Sequence, residues 1–167
     1  MKTSPIIFSD PMVRSILAGT KTQTRRKFKP TDRPENIPTR FAVDDLWVRE
    51  SFAYPRWDAN LPEVIYRADE DPLWSKSPVP IKWQSPIFLP RLYSRIGLKI
   101  ESVRCQKLQW ISESDAIAEG ITIPTEGELV EPIVLYQELW DSINGFGSFQ
   151  DNPWVWVITF SCRNTLI

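Results

Sequence analysis

The segment Trp154-Val155-Trp156-Val157-Ile158-Thr159-Phe160 is apolar at consecutive positions, and this constrains the fold more than any other feature of the chain. Successive side chains of a strand point to opposite faces. A strand that is apolar on both faces must be covered on both, so it belongs in the interior of a sheet or barrel. Trp156 and Ile158, together with Leu46 from another strand-like run, are the expected core residues.

The rest of the chain supplies shorter strands and helices. Pro5-Ile6-Ile7-Phe8 is a compact apolar run of the buried-strand kind. Ser9-Asp10-Pro11 offers a capping side chain and a proline suited to a first helical position, and Met12, Val13, Ile16 and Leu17 then recur at helical spacing until Gly19. Thr22 to Arg26 has the β-branched content of a strand, while the prolines between Lys29 and Arg40 require a loop. Leu46 to Phe52 and Val64 to Ala68 read as further strands. From Ile96 the apolar alternation runs through Leu98 and Ile100 and then shifts by one residue to Val103 and Cys105, which predicts a bulge near Glu101 and Ser102. Ser112-Glu113-Ser114-Asp115 resembles a capping box before a short helix that Gly120 ends. A third helix is predicted from Pro132 to Asn144-Gly145, with Leu135, Tyr136, Leu139, Trp140 and Ile143 on one side. The proline-rich stretch around 71–90 reads as an ordered surface excursion. These elements predict one domain over residues 1–167, of α+β class, with a strongly bent or closed sheet.

The composition removes several kinds of chemistry. The 167 residues include no histidine, so Ser-His-Asp and Cys-His arrangements and most zinc sites are excluded. Cys105 and Cys162 both fall in strand-like segments without a metal-binding pattern, and buried thiols are expected. No metal and no cofactor is expected. The first residues lack a charged region followed by a long apolar stretch, and no run approaches the roughly 20 apolar residues that span a bilayer. The expectation is therefore a cytoplasmic protein with no membrane partner. The eight tryptophans serve either as core residues or as stacking platforms for bases.

The charge is uneven. Residues 21–40 hold seven basic side chains against Asp32 and Glu35, a window of +5 in a chain of net charge -1. Such a window suits a phosphate-bearing ligand and equally suits a solvated basic loop. Within it, Gly19-Thr20-Lys21-Thr22-Gln23-Thr24-Arg25-Arg26 concentrates hydroxyls and cations where the chain leaves a helix. The same residues also favour a helix C-terminus electrostatically. Glu119 breaks that rule, since it places a negative charge at the carbonyl end of its helix, at a cost of about 0.3–1 kcal/mol. It is either an exposed residue with a small penalty or a functional carboxylate beside a cation such as Lys21.

Taken together and in order, Ile16-Leu17-Ala18-Gly19-Thr20-Lys21-Thr22-Gln23-Thr24-Arg25-Arg26, Asp45-Leu46-Trp47-Val48-Arg49-Glu50, Leu89-Pro90-Arg91, Asp115-Ala116-Ile117-Ala118-Glu119-Gly120 and Trp154-Val155-Trp156-Val157-Ile158 resemble the ASCH domain family. The likeness is greatest to the versions common in bacteriophages and prophages. It implies a PUA-like fold, a small β-barrel with flanking short helices, whose cleft accepts RNA or a modified pyrimidine nucleoside in a bacterial or phage-infected cell. It also implies an amidohydrolase that removes an acyl group from the exocyclic amine of cytidine-type nucleosides without a metal. Matched by motif, the catalytic roles fall on Lys21, Thr24 and Glu119. The alternatives it leaves are a single-stranded RNA ribonuclease and a non-catalytic RNA-binding module. Thr22, Arg25, Arg26, Arg91, Tyr93 and Arg95 are the expected ligand or nucleic-acid contacts. The chain is longer than the minimal enzymes, chiefly between the Phe52 and Ile96 strands and across 122–131. Strict alternation would separate Lys21 from Thr24, so Lys21 must lie in the turn before its strand.

Overall fold

The computed structural model describes residues 2–55, 60–71, 74, 77–124 and 130–164. Parts of the 71–90 excursion and of the 122–131 stretch lie outside them. In chain order the elements are β1 (Thr3–Ile7), α1 (Asp10–Leu17), β2 (Gln23–Lys27), β3 (Asp45–Arg49), β4 (Phe52–Ala53), β5 (Ile65–Tyr66), β6 (Ile96–Lys107), α2 (Glu113–Ala118), α3 (Pro132–Asn144) and β7 (Trp154–Asn164). The class is α+β. Five strands form one sheet in the order β1-β3-β6-β7-β2, with only the β1–β3 pair parallel, and β4 and β5 form a small antiparallel ribbon.

β7 is interior to the sheet because both of its faces are apolar. Trp156, Ile158 and Phe160 enter a core with Ile6, Phe8, Leu46, Leu98 and the α1 residues Val13 and Ile16. Val155 and Val157 enter a second core on the opposite face with Leu108, Ala116, Tyr136 and Trp140 of the α2–α3 side. The expected burial of Trp156, Ile158 and Leu46 is observed, each at most 1% exposed. Burying a side chain of this size contributes roughly 1.5–3 kcal/mol. The register between β6 and β7 shifts between Ile100 and Ser102, so the predicted bulge is present.

Four expectations are corrected. The described pairings leave an open sheet and not a closed barrel, because edge strands β1 and β2 share no ladder. The two edges nevertheless come within side-chain reach, since Arg26 Nη2 donates to Ile7 O at 2.7 Å and its guanidinium lies 5.0 Å from the Phe8 ring. The run Leu46 to Phe52 is not one strand. It breaks between β3 and β4 where Glu50, fully buried, turns to meet Arg95. Ser9 occupies the N-cap of α1 but makes no side-chain cap bond, whereas Ser112 Oγ does accept from Asp115 N at the start of α2. Finally, Cys162 is exposed and Cys105 only half-buried, because both lie toward the ends of their strands.

Candidate functional site

The site begins with the way α1 ends. Gly19, at φ +75°, reverses the chain, and Ser15 O then accepts from both Thr20 N and Lys21 N. This turn holds Lys21 ahead of β2, as the geometry of Lys21 and Thr24 requires. From the other direction α2 ends at Glu119, whose backbone forms an isolated antiparallel bridge with Lys21, reinforced by Thr22 N donating to Ala118 O. Gly120, at φ +90°, allows the approach. A Cβ there would lie 3.1 Å from both Lys21 Cβ and Ser15 Cβ.

The result is a buried knot of charges. Lys21 Nζ donates to Gln23 O (2.9 Å), Glu119 O (2.7 Å) and Glu119 Oε2 (2.8 Å). Arg25 Nη1 donates to Gln23 Oε1 (2.6 Å) and Glu119 Oε1 (3.1 Å), and its Nη2 to Asp115 Oδ2 (2.7 Å). The Lys21 and Arg25 side chains are wholly inaccessible, and that of Glu119 is 4% exposed, so Glu119 is not a solvated residue tolerated at a helix end. Burial pulls the proton affinity of Lys21 below its usual value, while the Glu119 carboxylate pulls it back. The three acceptors match the three protons of an ammonium. A neutral amine would turn its lone pair toward an oxygen, so the geometry holds Lys21 as a cation.

Beside the knot lies a cleft of about 80 Å³ between β2, α1 and α3, lined by Thr24, Arg25, Arg26, Glu119, Tyr136 and Trp140 with Met12, Leu139 and Ile143. Thr24 is 3% exposed, and among the described residues its hydroxyl has no hydrogen-bond partner. Burial and the nearby Glu119 push the Tyr136 hydroxyl well above its usual proton affinity, which leaves a neutral phenol. Burial likewise lowers that of Arg26.

Lys21, Thr24, Arg25, Arg26 and Glu119 are thus brought together. Thr22 is exposed and engaged only through its backbone, and Arg91, Tyr93 and Arg95 sit elsewhere. Arg91 stacks 5.6 Å from the Trp47 ring, and the Tyr93 hydroxyl donates to Glu63. Arg95 makes paired bonds to Glu50 and Asp69 and lies 4.0 Å from the Tyr66 ring, so it clamps the β3–β4 break to the start of β6. Sequence reasoning did not assign Tyr136 and Trp140 to the site. Their place on the apolar side of the third helix was the available signal.

The +5 window is partly neutralised. Glu119 and Asp115 from outside it meet Lys21 and Arg25, and within it Arg40 pairs with Asp32, which further accepts from Trp156 Nε1 at 2.9 Å. Among the described residues no group of three or more His, Cys, Asp or Glu could hold a metal ion, and no helix is long and apolar enough to cross a membrane. Compared with models of known protein families, with curated proteins and with solved structures, the chain finds no match.

Proposed function

We propose that the chain is an RNA- or nucleotide-directed protein of the PUA-like, ASCH type, and that it hydrolyses an amide on the exocyclic amine of a cytidine-type base. The observation that carries this reading is that Thr24 and Glu119 line one cleft while Lys21, 98 residues from Glu119 in sequence, is bonded to its carboxylate. The PUA-like assignment is supported by the two-faced strand β7, the bulged β6 and the approach of the sheet edges at Arg26.

In this reading the base lies against Met12, Leu139 and Ile143. Thr24, a hydroxyl without a protein partner among the described residues, attacks the acyl carbon or orients the water that does. Glu119 takes the proton released on attack and returns it to the amine as the C–N bond breaks; where Thr24 is the nucleophile, a water then cleaves the acyl-threonine ester, its proton passing through Glu119 to the Thr24 oxygen. Lys21 stays a cation, fixing the carboxylate and favouring the negative charge that develops at the carbonyl oxygen. General acid–base assistance of this kind is worth typically about 10²–10⁴-fold. Chromatography of N4-acetylcytidine and of an unmodified oligonucleotide, each incubated with the protein, tests the proposal. Turnover of the nucleoside should fall at least about 100-fold in Thr24→Ala and Glu119→Gln. A parent protein without turnover, or variants at the parental rate, would overturn it.

One observation favours a second reading, a non-catalytic RNA-binding module: every proton of the Lys21 ammonium is already used inside the protein. Oligonucleotide binding that weakens with salt, without turnover or strand cleavage, would support it. Strand cleavage would instead indicate a ribonuclease.

A further inference from the structure

The cleft has an unbalanced set of hydrogen-bonding groups. Arg25 Nε, Arg26 Nε and Trp140 Nε1 are buried without a partner among the described residues, and all three residues line this cleft. Among the described residues both carboxylate oxygens of Glu119 are paired, and the Thr24 hydroxyl, which lacks a partner, can donate as well as accept. Indole and guanidinium groups donate and never accept, so every unpaired group of the lining can donate. A ligand that offers acceptors resolves it.

Two of the donors share one side of β2. The Arg25 guanidinium lies 5.9 Å from the Tyr136 ring, and that ring lies 6.3 Å from the ring of Trp140. The other nitrogens of Arg25 are each engaged, by Gln23, Glu119 and Asp115, so Nε is its one nitrogen without a partner among the described residues. Arg26 approaches from the opposite face of the strand, against Phe8. The cleft, at about 80 Å³, is several times the roughly 10–15 Å³ that one water requires. A carboxylate or phosphate group is of suitable size, and each of its oxygens accepts more than one hydrogen bond.

We propose that the cleft between β2 and α3 is an oxyanion-binding site in which Trp140 Nε1–H and Arg25 Nε–H donate to a carboxylate or phosphate group of the ligand, with Arg26 adding charge at the strand edge. The site stands on its own geometry. If the deacylation reading holds, it is where the acyl oxygen and then the carboxylate product lodge.

The indole N–H signals of the eight tryptophans in a ¹H–¹⁵N spectrum provide the test, with Trp140→Phe assigning the relevant one. The wild-type protein is titrated with sodium acetate, inorganic phosphate and cytidine 5′-monophosphate, with chloride holding the ionic strength constant. A saturable shift of the Trp140 signal is expected. Acetate as the better ligand identifies a carboxylate, and phosphate or the nucleotide identifies a phosphoryl group. Trp140→Phe should weaken the same binding about tenfold by calorimetry. A Trp140 signal that stays still, or moves only linearly with salt, overturns the proposal, as does unchanged affinity in the variant. If the variant does not fold, the wild-type signal still decides. Saturable binding without any deacylation removes the hydrolase reading alone, and deacylation with an unmoved signal removes this inference alone.

Discussion

Replacing Lys21 with methionine keeps most of the side-chain volume and removes the charge, which isolates the electrostatics of the buried knot. The Glu119 carboxylate, 4% exposed, would then retain only Arg25 at 3.1 Å as a cation. Breaking a buried pair from one side costs about 3–5 kcal/mol. The retained Arg25 places Lys21→Met near the lower end, at about 3 kcal/mol. Glu119→Gln strips the counter-charge from an ammonium with no solvent access and belongs nearer the upper end, while Arg25 keeps Asp115 at 2.7 Å. In the double variant Lys21→Met/Glu119→Leu neither charge remains unpaired. Its loss should be smaller than the sum of the Lys21→Met and Glu119→Leu single losses by at least about 2 kcal/mol. Urea unfolding followed by tryptophan fluorescence measures all these proteins. Single losses below about 1 kcal/mol, or a double loss equal to the sum, would refute the reasoning.

The pH dependence of the same pair has a definite sign. Burial, the largest influence, sets the folded-state proton affinity of Lys21 below 10.5. Between that lowered value and 10.5 the unfolded chain binds more protons than the folded one, so wild-type stability should rise with pH relative to Lys21→Met. Below that window the difference should be flat. A falling difference would mean that Glu119 outweighs burial.

Two further outcomes are expected elsewhere. Arg40 holds the Asp32 carboxyl at about 2, against 3.8 when unpaired, so the stability Asp32 contributes is present above pH 3.8 and lost as pH falls toward 2. The Asp32 side chain is 3% exposed but that of Arg40 is 26% exposed, so water on the arginine side discounts the contribution to about 1–2 kcal/mol, and the gap in urea midpoint between wild type and Asp32→Asn should narrow across that range. A constant gap would count against the clamp. Gly120→Ala should cost about 1–3 kcal/mol, from its φ of +90° and its 3.1 Å approach to Lys21 and Ser15, and should lower the melting temperature by several degrees. A variant that melts with the wild type would contradict the close contact.

The parts of the fold that were legible in the sequence are those set by neighbours along the chain. The consecutive apolar residues of β7, the phase slip at Ile100 to Ser102 and the proline-to-glycine frame of α3 each encode their geometry locally, and each is found in place. The electrostatics did not follow the same logic, because charge counted in a sequence window ignores partners in space. Asp32 looked like a minor acid in a basic run, yet it anchors Arg40 and a core tryptophan 124 residues away. Arg95 looked like a ligand cation, yet Glu50 and Asp69, 45 and 26 residues distant, take up its guanidinium. The Lys21–Glu119 pair is the intermediate case. Glu119 broke a local expectation and Lys21 obeyed one, and only the backbone bridge across 98 residues joins the two into one site. Trp140 marks the limit of this kind of reading. Its apolar ring obeys the helix pattern and draws no notice, while the single N–H that distinguishes it from phenylalanine is left buried in the cleft wall without an acceptor among the described residues. A residue that satisfies every local rule and still leaves a donor unpaired at a site carries functional information that is accessible only from three-dimensional structure.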